Sequence, residues 1–231
     1  MSASKSLPAI VIPVQKTVMS QCRDFPSLKL ISHPLVQHKL TLIRDRATPP
    51  ILFRQLVKET AMLLGYEVTR SLPLTSQPIE TPMAAMTAPL LAQPVTIVSI
   101  LRAGLAMAEG LRELIPSARE GHIGLYRDPE TKQPQEYFRK LPREPGCVIL
   151  VDPMLATGGS AARAAAILRQ QAEPEALRLV TLVAAPEGME VFARAHPDIP
   201  VYSAALDDHL DDNAYIIPGL GDAGDRIFGT L

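Results

Sequence analysis

The chain has 231 residues, 47% hydrophobic and 20% charged, enough to bury the core of one large domain and too apolar for a disordered chain. Its 23 basic and 24 acidic residues leave a net charge of −1, so no overall basic field recruits nucleic acid or an anionic membrane. No apolar run approaches the roughly eighteen residues of a membrane span, no signal-peptide core is apparent at the amino terminus, and Cys22 and Cys147 are too few for a disulfide framework; a cytoplasmic protein is expected.

Residues 1–27 carry Pro8, Pro13 and Pro26 among short apolar pieces without a helical period, and are expected to form an N-terminal extension or strand-like arm ahead of a main domain over 28–231. A helix begins at His33-Pro34-Leu35, with Leu35, Leu42 and Ile43 at helical intervals. His33 and His38 are five apart, the wrong spacing for a helical metal pair, and are expected to make hydrogen bonds at the surface or between elements. Pro49 and Pro50 start a second helix over 51–65, which Gly65 can stop. Five prolines between Ser71 and Pro94 suggest a short hairpin and connector outside the main sheet.

A regular α/β pattern starts at Val95. Val95 to Ile100 reads as a buried strand, Leu101-Arg102-Ala103-Gly104 as a turn, and Leu105 to Leu114 as a helix. An arginine at a strand's carboxyl end is well placed to meet an anion at the sheet edge. Gly121 to Tyr126 is the next strand, with His122 alternating inside it as a structural residue, and it ends in Arg127-Asp128. Residues 129–142 are polar and proline-marked, a lid or a solvated hairpin. Further strands are read at Cys147–Val151, Leu177–Ala185 and Val201–Ala205, with helices at Ala161–Gln171 and from Pro186 to Ala195. The alternation predicts an α/β fold with a parallel β-sheet flanked by helices, whose ligands gather at strand carboxyl ends.

The stretch Val151-Asp152-Pro153-Met154-Leu155-Ala156-Thr157-Gly158-Gly159-Ser160 is the most informative. Glycines let backbone amides close round an anion, and the following helix adds unpaired donors and a positive dipole end. Thr157 and Ser160 supply hydroxyls, and Ser160 is a good N-cap. The spacings of a nucleoside-triphosphate loop and of a dinucleotide fingerprint are both absent, which points to a sugar monophosphate. An isolated Gly-Gly-Ser would be read as a turn; with Asp152 and Thr157 in register the phosphate site is favoured. Near the carboxyl end, Tyr215 to Arg226 holds Gly219, Gly221 and Gly224 with Asp222 and Asp225 and reads as an irregular loop able to offer backbone groups to a flat polar base. Calcium is a competing thought, but the EF-hand spacing is missing.

From about His33 onward the chain resembles the uracil phosphoribosyltransferases. The matching pieces are His33-Pro34-Leu35-Val36, Leu101-Arg102-Ala103-Gly104, Tyr126-Arg127, residues 152–160, Ala184-Ala185-Pro186-Glu187-Gly188, and Tyr215 to Thr230. The resemblance implies a type I phosphoribosyltransferase fold with a small hairpin or hood and transfer of the phosphoribosyl group from phosphoribosyl diphosphate (PRPP) to uracil, giving UMP in pyrimidine salvage. It implies that Arg102, Arg127 and Asp222 serve catalysis and that Arg102, Arg127, Asp222 and the run Asp152, Pro153, Met154, Leu155, Ala156, Thr157, Gly158, Gly159, Ser160 bind PRPP. Ile216, Gly221, Asp222 and Ala223 would frame uracil. Mg²⁺ would arrive on the PRPP diphosphate, with no protein-built metal site. A homodimer or higher homo-oligomer and a GTP effector are further implications, the latter without an assigned residue. Ser99 stands where the family carries a proline ahead of Arg102, and Thr48 to Arg54 is an apolar version of a more polar helix start. Two other readings are a regulatory protein binding RNA on the same scaffold, disfavoured by the neutral charge, and an enzyme for a different base, opposed only by the 215–226 loop.

Overall fold

The computed structural model describes residues 19–128, 134–170 and 176–230. Most of the expected N-terminal arm and the first five residues of the expected lid, 129–133, lie outside the described residues. In chain order the elements are β1 (Met19–Gln21), β2 (Leu28–Ile31), α1 (Pro34–Arg44), α2 (Pro50–Val68), β3 (Leu74–Glu80), β4 (Ala85–Leu91), β5 (Val95–Leu101), α3 (Gly104–Leu114), β6 (Arg119–Arg127) and β7 (Pro134–Lys140). They continue with β8 (Cys147–Val151), β9 (Met154–Leu155), α4 (Gly159–Leu168), β10 (Leu177–Ala184), α5 (Pro186–Ala195), β11 (Val201–Leu206), β12 (His209–Leu210), β13 (Ile216–Ile217) and α6 (Ala223–Phe228).

The main sheet runs β1-β2-β11-β10-β8-β5-β6-β7, with β9 beside β10. Neighbours from β2 to β6 are parallel, and antiparallel β1 and β7 lie at the two edges. The central strands read as unbroken apolar runs because both faces are covered. All five residues of β8 are buried; Ile149 and Val151 enter a core built with α1, α2, α3 and α6, whereas Val148 and Leu150 enter the one built with α4 and α5. Each such side chain contributes about 1.5–3 kcal/mol when fully buried.

Local signals were overridden at three places, at Gly65, Ser160 and the carboxyl-terminal loop. Helix α2 continues past Gly65 to Val68, because Gly65 lies against Leu111 and Leu114 of α3 and serves helix packing instead of ending the helix. Of the two readings of 129–142, the hairpin is the one its described part takes: Pro134–Lys140 is a strand, the far arm of a hairpin with β6. Helix α4 starts at Gly159 with Gly158 as its N-cap, which puts Ser160 in the first turn and not at the cap. Residues 223–226, expected to be irregular, belong to α6, because Asp222 caps the helix and Gly229 closes it in a left-handed conformation. The β3–β4 hairpin forms its own two-stranded sheet, as expected.

Candidate active site

Register brings three strand ends together. Ser99 of β5 pairs with Val151 of β8 on one side and His122 of β6 on the other, and Val151 pairs in turn with Val180 of β10. The turn carrying Arg102 therefore leaves the sheet beside Asp152, and Arg127 ends the adjacent strand β6. For Arg127 only the backbone position is described. Arg102 is exposed, and its guanidinium lies 5.3 Å over the ring of Phe228, at the end of α6. That contact joins the β5 turn to the carboxyl-terminal segment by a cation–π interaction. The Leu101–Arg102 peptide is cis. Beneath this turn the fully buried Ser99 hydrogen-bonds His122 Nδ1 at 2.8 Å, which gives His122 the structural role expected of it.

Strand β8 breaks at Asp152-Pro153, where proline has no N–H to continue the ladder. The Pro153 carbonyl accepts from Leu182 and Val183 N–H at 3.1 and 3.2 Å, and the Leu155 carbonyl accepts from Ala185 N–H at 3.0 Å. These bonds strap residues 153–155 to the end of β10. Thr157 is exposed and Gly159 and Ser160 half-buried, so the loop faces outward at the start of α4. That helix has neither a side-chain cap nor an acidic residue in its first turn, leaving its N–H donors and positive end to an anion. Gly158 has φ 76°, and a Cβ there would come within 2.5 Å of the Gly188 carbonyl in α5. Only glycine allows both the left-handed backbone and the close approach.

Burial pushes the Asp152 carboxyl up to about 7, opposed in part by the Met154 backbone N–H. Half-buried at the end of a strand, it is the carboxylate nearest in sequence to the glycine turn. Among the described residues no three His, Cys, Asp or Glu side chains converge to hold a metal ion. One strand-end carboxylate beside arginines fits an ion that brings its own phosphate and water ligands.

The carboxyl-terminal loop is fixed from several sides. Ile216 and Ala223 are buried at 5% and 0% exposure, so their side chains belong to the core and only their backbone groups can face a base. Gly221 is exposed and Asp222 half-buried. Asp222 accepts from Asp225 N–H at 2.9 Å as the cap of α6, a structural duty the sequence reading did not assign. Asp207, 4% exposed at its side chain, binds Arg44 through both carboxylate oxygens at 2.5 and 2.8 Å and accepts from Gly219 N–H at 3.0 Å. Arg44 also donates to the Gly219 carbonyl. Arg226 donates to the carbonyls of Ile43, Asp45 and Leu220 and stacks 4.2 Å over Phe53. Neither Arg44 nor Asp207 had a local signal; an arginine closing α1 and an aspartate after β11 look like surface charges until the strand order is known.

A parallel sheet whose adjoining strand ends carry Arg102, Asp152 and the start of α4 is the arrangement expected of a phosphoribosyltransferase. The sequence profile of uracil phosphoribosyltransferase matches residues 30–230. A uracil phosphoribosyltransferase of Rhodospirillum centenum is 59% identical over 210 residues, 90% of this chain and 97% of that protein. One of Ralstonia pickettii is 54% identical over 215 residues, 92% of this chain and 99% of that protein. A solved structure of an Aquifex aeolicus protein superposes with TM-score 0.83 at 33% identity, covering 87% of this chain and 97% of the other. The chain belongs to the uracil phosphoribosyltransferase family.

Proposed function

We propose that this chain transfers the 5-phosphoribosyl group of PRPP to uracil, giving UMP and diphosphate, with residues 28–231 as the catalytic unit. The observation that carries the assignment of roles is the register that sets the Arg102 turn beside Asp152 and the uncapped start of α4. The backbone amides of 157–160 and the Thr157 and Ser160 hydroxyls hold the 5′-phosphate. Asp152 accepts from the ribose hydroxyls. Arg102 and Arg127 face the diphosphate and neutralise it as it leaves, the larger electrostatic share of catalysis at a centre of oxocarbenium character. Backbone groups of Ile216, Gly221 and Ala223, with Asp222, hold the base so that N1 meets the anomeric carbon, a contribution of proximity. Further charge neutralisation there would come from Mg²⁺ carried in on the diphosphate.

A homodimer or higher oligomer belongs to the same reading. Its support is the β3–β4 hairpin, which exposes Leu74, Ile79, Met83, Met86, Leu90 and Leu91. A GTP effector and a cytoplasmic location are also part of it; UMP formation with and without GTP at low PRPP tests the former. No helix among the described residues is long and apolar enough to cross a membrane. The deciding experiment offers PRPP with uracil, cytosine, hypoxanthine or adenine in parallel. UMP from uracil alone is expected, and preferential product from another base would overturn the substrate assignment.

A further inference from the structure

The Glu187 carboxylate lies where the two halves of the site meet. It stands in the first turn of α5, next to Gly188, where an added Cβ would come within 2.4 Å of the Leu155 and Ala156 carbonyls. The α5 start is thus in van der Waals contact with the phosphate loop. Glu187 Oε1 accepts from Leu210 N–H at 3.0 Å, and Leu210 pairs with Ile216 in the β12–β13 ribbon that leads into the base loop. Oε2 is buried without a hydrogen-bond partner among the described residues. Backbone N–H groups of Leu210 and of Glu187 itself hold the carboxyl below its usual range. Glu187 as a residue is half-buried, and an enclosed oxygen left without a partner is costly unless the bond made by the other oxygen matters.

The other anchors of the base loop run elsewhere. Arg44 and Asp207 tie it to α1, and Arg226 ties it to α1, the turn after it and α2. The phosphate loop is held by its own backbone bonds to β10. Glu187 bridges the two.

We propose that Glu187 is a positioning residue that sets the base loop against the phosphate loop and so fixes the separation of base nitrogen and anomeric carbon. The proposal rests on the functional reading above. A shift of about 1 Å between reactants costs on the order of 100-fold in rate, so the bond acts on turnover without touching either substrate.

The test compares E187A, E187Q and the volume-conserving E187M. For E187A and E187M, kcat is expected to fall by roughly 10- to 100-fold and the uracil KM to rise, with direct PRPP binding within about 2-fold of the parent. E187Q, whose amide oxygen still accepts from Leu210, should recover most of the activity. Amide exchange should quicken at 209–217 and not at 152–160 in E187A and E187M, a readout that stands whichever base is the substrate. Equal losses in all three variants, a parallel weakening of PRPP binding, or unchanged exchange at 209–217 would overturn the proposal. Failure to convert uracil by the parent, with exchange behaving as expected, would instead sink the substrate assignment.

Discussion

At Asp152 the charge state changes near neutral pH. Its carboxyl is raised from 3.8 to about 7, so between those values the folded protein binds a proton that the unfolded chain has released. Stability of the ligand-free protein therefore falls as pH rises through this window, by at most about 4 kcal/mol. Denaturant midpoints across the window should show the slope, and D152N should flatten it. Hydroxyl donors of PRPP favour the ionised form, so the PRPP KM is expected to drop as pH rises through about 7; a D152N enzyme with the same pH dependence would remove Asp152 from the site. Asp222 carries two duties that can be separated. D222A loses the cap, at about 1 kcal/mol, whereas D222S keeps it. If the carboxylate reaches substrate, both variants lose roughly 100-fold in activity while D222S keeps the parent's melting temperature. A D222S enzyme as active as the parent would reduce Asp222 to a cap. The resemblance implied a site role for position 222, but its capping of α6 was not legible in the sequence, because three nearby glycines hid the short helix.

The element proposed to bind phosphate is the junction of β8, its loop and α4. Its sequence was readable because every group it uses lies within one contiguous stretch. What was not readable is the support from α5, whose Gly188 meets both Gly158 and the Leu155 and Ala156 carbonyls. G158A places a Cβ at positive φ and against a backbone carbonyl, and is expected to destabilise by about 1–3 kcal/mol and to raise the PRPP KM at least 10-fold. At Gly159 the nearest atom to an added Cβ is 3.8 Å away, so G159A should leave the melting temperature unchanged. Paired thermal melts and PRPP titrations check both; equal melts for the two variants would contradict the packing argument. The same lesson applies to Gly65, which looked like a helix stop and is a helix contact.

For the whole molecule, the β3–β4 hairpin is the part whose stability a single chain does not explain. A two-stranded ribbon is marginal alone, and here Met83 is 92% and Leu74 62% exposed. Placing lysine at both Ile79 and Met86 is expected to shift sedimentation toward a smaller species, and an unchanged mass at micromolar concentration would take the hairpin out of the subunit interface. The sequence by itself determined the α/β class and the family, since the strand and helix periodicity and the runs that carry the family resemblance are local patterns. Only the tertiary structure decided how the base loop is held: Arg44 meets Asp207 across 163 residues, Arg226 meets Ile43 across 183, and Glu187 meets Leu210. Such pairings depend on strand order, and strand order is set by which faces bury together, a property of the folded sheet that no window of sequence contains.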